Sequence, residues 1–245
     1  MSLTLQVGEH ANWEWHGITF HADTLIMLWI ASFVLILLAL LTKRKLTERP
    51  GRLQAAAEVV IEGLSDLPKS QMGERGMKYL PFIGTIFLLI LTCNWLEAIP
   101  FNQFYDLLFT GWLGRPHGLE LAAPTSDLNT TLGLALTAFT ASVFFGIRER
   151  GGSYFKHFLQ PVFLFLPINL IEELSKPFSL AIRLFGNIFA KVVILLILIK
   201  LIPFPLLYPL PVVMLSLFLG LIQAFIFSLL TTLYISNATT AHDHS

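Results

Sequence analysis

The sequence predicts an all-α, polytopic membrane protein with about five membrane-crossing helices. Three observations carry that prediction. Hydrophobic residues make up 55% of the 245 positions, and charged residues 13%, against about a quarter in soluble domains. The charges are clustered, with charge-free runs of 18 to 20 residues between them, close to the roughly 20 residues that cross a bilayer as helix. The basic clusters also fall on alternate connecting segments, as the positive-inside rule requires.

Residues 1–23 read as an extracytoplasmic N-terminus. The first 22 residues carry no Lys or Arg and include Glu9, His10, Glu14, His16 and His21, which does not fit a cleaved signal peptide. The first crossing is 24–42. It ends at Lys43, Arg44, Lys45, Arg49 and Arg52. Segment 43–78 holds an amphipathic surface helix over 53–68. There Leu53, Ala56, Val60, Leu64 and Leu67 recur at helical spacing, and Glu58, Glu62 and Asp66 take other faces.

The second crossing is 79–98 and the third 128–147, the latter followed by Arg148, Arg150 and Lys156. Segments 43–78 and 148–157 hold eleven Lys or Arg, whereas 99–127 holds only Arg115. The basic segments therefore face the cytoplasm, with the N-terminus outside and the C-terminus inside. Trp13, Trp15, Trp95 and Trp112 suit interfacial positions. Pro203, Pro205, Pro209 and Pro211 break the apolar run after 201, leaving a last helix over 212–236. That helix and 168–200 form a long tilted hairpin, and the whole chain reads as one membrane domain.

The zero net charge gives no sign of a nucleic-acid partner. The single cysteine, Cys93, excludes an internal disulfide and reads as a packing residue. The histidines have no diagnostic metal spacing, so no metal and no cofactor are expected. No Gly-rich phosphate loop is present, which argues against nucleotide hydrolysis by this chain.

Segment 168–200 is apolar but interrupted by Glu172, Glu173, Lys176, Arg183 and Lys191. At about 100° per residue, with Glu172 at 0°, Lys176 falls at about 40°, Arg183 at about 20°, Asn187 at about 60° and Lys191 at about 100°. One face thus carries the polar groups. Each lone intramembrane charge costs at least ~2.5 kcal/mol, so the face calls for a partner or a wet cavity. Glu172 and Lys176, four apart, also fit a simple ion pair. Arg183 has no acid four residues away on either side, and its guanidinium stays charged. A fixed cation at mid-membrane repels cations and attracts a passing carboxylate. On the last helix Ser216, Gln223 and Tyr234 lie within about 20° of one another. Gln223 is suited to bond toward Arg183, to line a water path, or to join helices.

The stretch Ser175-Lys-Pro-Phe-Ser-Leu-Ala-Ile-Arg183-Leu-Phe-Gly-Asn187 resembles the signature of the a subunit of F-type ATP synthases. Pro124-Thr-Ser-Asp-Leu-Asn-Thr-Thr131 resembles that family's entry to the third crossing, and Leu221-Ile-Gln223-Ala-Phe-Ile-Phe227 with Tyr234-Ile-Ser236 its last helix. The resemblance extends over most of the chain from about residue 80 onward, with the motifs in order.

It implies a non-catalytic stator subunit of the Fo motor. Such a subunit forms two offset ion half-channels beside a rotating ring of c subunits, each bearing a membrane carboxylate. It implies b subunits of the peripheral stalk as further partners, F1 indirectly, and membrane lipid around the whole. The essential arginine maps to Arg183, with Asn187 and Gln223 near it. Glu172, Glu173, Lys176 and Asp127 are expected half-channel residues, and Asn94 and Glu97 weaker ones. The expected location is a bacterial plasma membrane, or a thylakoid membrane for a cyanobacterial source.

One departure stands out. Relatives carry a carboxylate nine residues after the arginine, where this chain has Val192, preceded by Lys191. Some pair it with a histidine where this chain has Ser216. Both halves of that pair are replaced, which leaves proton and sodium coupling open, with Lys191 and Ser216 as candidate lining residues. The rival function is a standalone ion transporter or channel using Arg183 and Glu172 as a coupling pair.

Overall fold

A computed structural model of the chain describes residues 12–15, 18–43, 51–98, 128–156 and 209–240, together with 167, 168, 171, 175–183, 186, 190, 193, 194 and 197. Strands β1 (Asn12–Trp15) and β2 (Ile18–His21) are followed by α1 (Ala22–Lys43) and α2 (Arg52–Met72). A 3-10 segment (Gly73–Tyr79) leads into α3 (Leu80–Ala98). Then come α4 (Leu128–Arg150), the single turn α5 (Ser153–Lys156) and the long α6 (Pro209–Thr239). Residues 175–183 are helical. Four stretches of helix, within 24–43, 54–96, 129–150 and 213–239, are long and apolar enough to cross a membrane.

The architecture is helical with one small exception. The N-terminal segment, read from sequence as featureless, contains an antiparallel pair in which Trp13 faces Phe20 and Trp15 faces Ile18. The signal for it is two short aromatic and β-branched runs separated by His16-Gly17. The last helix also begins earlier than expected, at Pro209 instead of 212. Pro209 and Pro211 sit in its first turn, where the missing N–H groups have no intrahelical acceptor to lose.

Helix α3 is the hub, packing on α1 and most extensively on α6, while α4 covers another side of α6. Between membrane helices there is little hydrophobic drive, because lipid tails are as apolar as leucine; close contact and interhelical hydrogen bonds do the joining. Accordingly α4 presents a buried seam of small residues, Thr131, Ala135, Ala138 and Ser142, at helical spacing. Phe227 of α6 is fully buried in the same core as Ile83, Ile90 and Ala135. The apolar residues Trp29, Phe33 and Ile36 of α1 are exposed, as lipid-facing residues are.

Two glycines mark where backbones come closest. A methyl group on Gly220 of α6 would lie 2.9 Å from Asn94 Cβ, so only glycine allows α3 to approach there. Asn94 Nδ2 then donates to Gly220 O at 3.3 Å, and Trp95 Nε1 donates to Leu217 O at 3.2 Å. Trp95, expected at the bilayer interface, thus also joins two helices. At the other end of the bundle a methyl group on Gly146 would fall 2.7 Å from the Tyr154 ring. There Ser236 Oγ donates to Gln71 O at 3.4 Å, tying the end of α6 to the end of α2.

The stripe predicted for α2 is only half buried. Leu64 and Leu67 enter the core, whereas Ala56 and Val60 are exposed beside Val59 and Ile61. The reason is extent of cover: α3 and α6 lie over the second half of α2, and its first half projects beyond them. The exposed apolar residues suit an interfacial position.

Outside the apolar spans, Lys78 Nζ meets Glu149 Oε1 at 2.5 Å, linking the approach to α3 with the end of α4. The hydrogen bond to Glu149 holds the Lys78 ammonium above its ordinary range, and the same bond lowers the Glu149 carboxyl. The Glu149 contribution is present above the unfolded carboxylate pKa and fades as pH falls through the lowered value. The Lys78 contribution is complete below the unfolded lysine pKa and fades as pH rises through the raised one. Both groups are substantially exposed, which limits the pair to about 0.2–1 kcal/mol.

Gly220→Ala is expected to lower stability by about 1–3 kcal/mol through overpacking, read as a lower thermal midpoint of the purified assembly. Gly133→Ala, with open space around it, is expected not to lower it. A double-mutant cycle on Lys78→Met and Glu149→Gln is expected to give a coupling of about 0.2–1 kcal/mol at pH 7 and low salt, weakening as the pH falls through the carboxylate range.

Candidate ion-path site

The helical segment 175–183 docks on α6 through one face. Leu180 and Ala181 are buried in the core that holds Ala224, Phe227 and Ile235. Lys176 Nζ sits 5.8 Å from the centre of the Tyr234 ring, a cation–π distance. The Lys176–Tyr234 contact and the shared core bring this segment against the last helix.

Arg183 takes the opposite side. It is exposed, next to Ile182 at 63%, with exposed Ser179 one turn before it and Phe178 at 57% farther round the helix. Ile168 and Ile171 are also exposed, and so are the small positions Gly186 and Ala190. On α6, Met214, Phe218, Leu221, Phe225 and Leu229 are exposed at three- and four-residue spacing. Arg183 is therefore a cation on an outward surface whose described residues are mostly apolar or small, with one hydroxyl, Ser179, near it. Among the described residues it makes no ion pair or hydrogen bond.

The other sequence candidates divide. Lys176 and Arg183 differ in setting: Lys176 is half buried against Tyr234 of α6, whereas Arg183 is exposed. Gln223 is 3% exposed and so lies inside the bundle, not on the surface with Arg183. Ser216 is partly buried two turns earlier on the same helix. Asn187, Glu172, Glu173, Lys191 and Asp127 lie outside the described residues, as do Val192 and the side chain of Glu97.

Buried polar groups on α3 and α6 are used in different ways. Thr231 Oγ1 donates to Phe227 O at 2.9 Å and Thr232 Oγ1 to Ser228 O at 2.7 Å, so both hydroxyls are satisfied within the helix. The Asn94 amide, 1% exposed, instead bridges α3 to α6. The sequence reading treated Asn94 as a weak channel candidate and missed this joining role. Its only signal was an amide in an apolar run together with a glycine on the last helix. Tyr234 as the partner of Lys176 was also missed; nothing in either motif specifies which residue of one helix meets which of the other.

The comparisons with known proteins agree with one another. The family described as ATP synthase A chain matches residues 25–236. ATP synthase subunit a, chloroplastic, of Stigeoclonium helveticum is 40% identical over 239 residues, covering 97% of this chain and 93% of that protein. The apolar helices fit that assignment, and the chain belongs to the ATP synthase A chain family.

Proposed function

We propose that this chain carries ions through the membrane by presenting Arg183 to the carboxylates of a rotating c ring. As a member of its family the chain is a multi-pass, ion-translocating stator subunit of the ATP synthase Fo sector and works in a complex with other subunits. The observation that carries the finer reading is the exposed position of Arg183 on a largely apolar surface. A guanidinium cannot shed its charge, and facing lipid would cost it at least ~2.5 kcal/mol. An acidic partner surface removes that cost. A standalone transporter would turn the same cation toward its own interior.

The chemistry then follows. Arg183 lowers the pKa of a carboxylate that comes beside it, favouring loss of the ion. The same charge blocks direct passage of a cation between the two sides. The exposed rows on α6 and on 175–183 offer the apolar surface along which ring helices slide, with Gly186 and Ala190 leaving room beside the arginine. Gln223 and Asn94 place amides within the bundle where a water path could run. The chain itself cleaves no bond; the nucleotide chemistry belongs to F1. The N-terminus faces outward and the C-terminus the cytoplasm or its equivalent, in a bacterial plasma membrane or a thylakoid, with b subunits holding the stator.

Arg183→Ala is expected to reduce ATP-driven pumping in inverted vesicles on the order of a hundredfold, the factor that ~2.5–3 kcal/mol of lost charge stabilisation represents. Passive ion leak through the assembled Fo is expected to rise. Coupling retained at the wild-type level in assembled Arg183→Ala complexes would sink the reading. The ion is expected to be the proton, although Val192 and Ser216 replace the usual acid and histidine. Acidification driven by ATP, independent of sodium and abolished by a protonophore, is the expected result. Sodium uptake that survives the protonophore would assign the path to sodium.

A further inference from the structure

We propose that the outer face of α4 holds one anionic phospholipid, its acyl chain lying along the helix and its phosphate at Arg148. The site is independent of the ion path and faces away from the small-residue seam that packs on α6. An open groove of ≈ 480 Å³ runs along this face, lined among the described residues by Leu136, Thr137, Thr140, Ala141 and Phe144.

The groove is suited to hydrocarbon. Thr137 Oγ1 donates to Gly133 O at 2.8 Å, so its hydroxyl is already satisfied by its own helix. Phe144 forms one end of the lining and is braced edge-on by Phe145 at 5.7 Å, which itself packs against Tyr79 and Phe82. From 136 to 144 the groove extends about 12 Å along the helix axis, close to the ~15 Å depth of one leaflet. It runs from the middle of α4 toward Arg148.

Charge at the end of the groove selects the headgroup. At about 100° per residue Arg148 falls within about 20° of Thr137 and about 40° of Phe144, one turn beyond the last lining residue. It is exposed. Its acidic neighbour Glu149 is ion-paired with Lys78 at 2.5 Å, so the acid does not cancel the Arg148 charge on this side of the helix. A cation where a leaflet meets water, beside a groove one leaflet deep, is complementary to a phospholipid with net negative charge. Under the orientation proposed above, this is the cytoplasmic leaflet. A membrane helix of another subunit would fill the groove too, but it would not need the arginine.

The test uses the assembled synthase in nanodiscs containing a trace of phosphatidylglycerol with a photoactivatable acyl chain, or the matching phosphatidylcholine, followed by peptide mapping. Label is expected within 136–144, from phosphatidylglycerol in preference to phosphatidylcholine. Excess unlabelled phosphatidylglycerol should compete it away, and inorganic phosphate should not. Arg148→Gln is expected to lower phosphatidylglycerol labelling about fivefold, toward the phosphatidylcholine level, the factor that ~1 kcal/mol per basic residue represents. Arg148→Lys should retain it, and Ala141→Trp, which fills the groove, should remove labelling by either lipid. ATP-driven pumping is measured alongside to show that each variant assembles. Equal labelling by the two lipids in the unaltered complex overturns the proposal, as does labelling that survives Ala141→Trp. Absence of label on α4 overturns it too, and a crosslink from α4 to another subunit would identify a protein helix as the occupant. Competition by inorganic phosphate would reduce the site to a free-anion contact.

Discussion

A guanidinium on the outside of a membrane helix is the constraint on which the rest of this structure depends. Arg183 cannot neutralise itself, and its exposed neighbours among the described residues are Ser179, Ile182 and Gly186. The charge is tolerable only against an acidic or wet partner surface, and only while it is held at a steady height and angle. The remainder of the fold serves that placement. Leu180 and Ala181 anchor one side of the arginine's helix in the core with Phe227 and Ala224, and the side opposite is left for the arginine.

The scaffold achieves this without a hydrophobic drive between its helices. Small residues on α4, a glycine on α6 and a few interhelical hydrogen bonds do the work that burial does in water. Gly220 is the clearest case. The absent side chain allows α3 to come close, and the close approach allows the Asn94 amide to reach a backbone carbonyl. Neither feature is useful alone.

The crossings were legible because a bilayer imposes a length and a polarity on each one, and runs such as 24–42 and 128–147 carry both. The family was legible because Ser175 to Asn187 and Leu221 to Phe227 are polar and small residues at positions where a lipid-facing helix would have neither. What the sequence did not disclose depends on where a helix lies relative to its neighbours. Val60 and Leu64 belong to one stripe by periodicity, yet only Leu64 finds α3 above it. Lys176 and Arg183 share a face by angle, yet an aromatic partner draws the first inward and, among the described residues, none draws the second. The N-terminal pair escaped because four-residue strands carry little periodicity, and the Pro209 start because proline reads as a break until its N–H is known to be surplus.

The two attachments of α6 have a mechanical meaning. One lies at Leu217 and Gly220, against α3; the other lies at Ser236, against the end of α2. They are separated by about 24 Å of helix, with the exposed row of Leu221, Phe225 and Leu229 between them. A beam supported at both ends bends far less under a sideways load than one fixed at a single end. Drag applied to that row would be divided among supports on different helices, so the load would pass into the whole bundle.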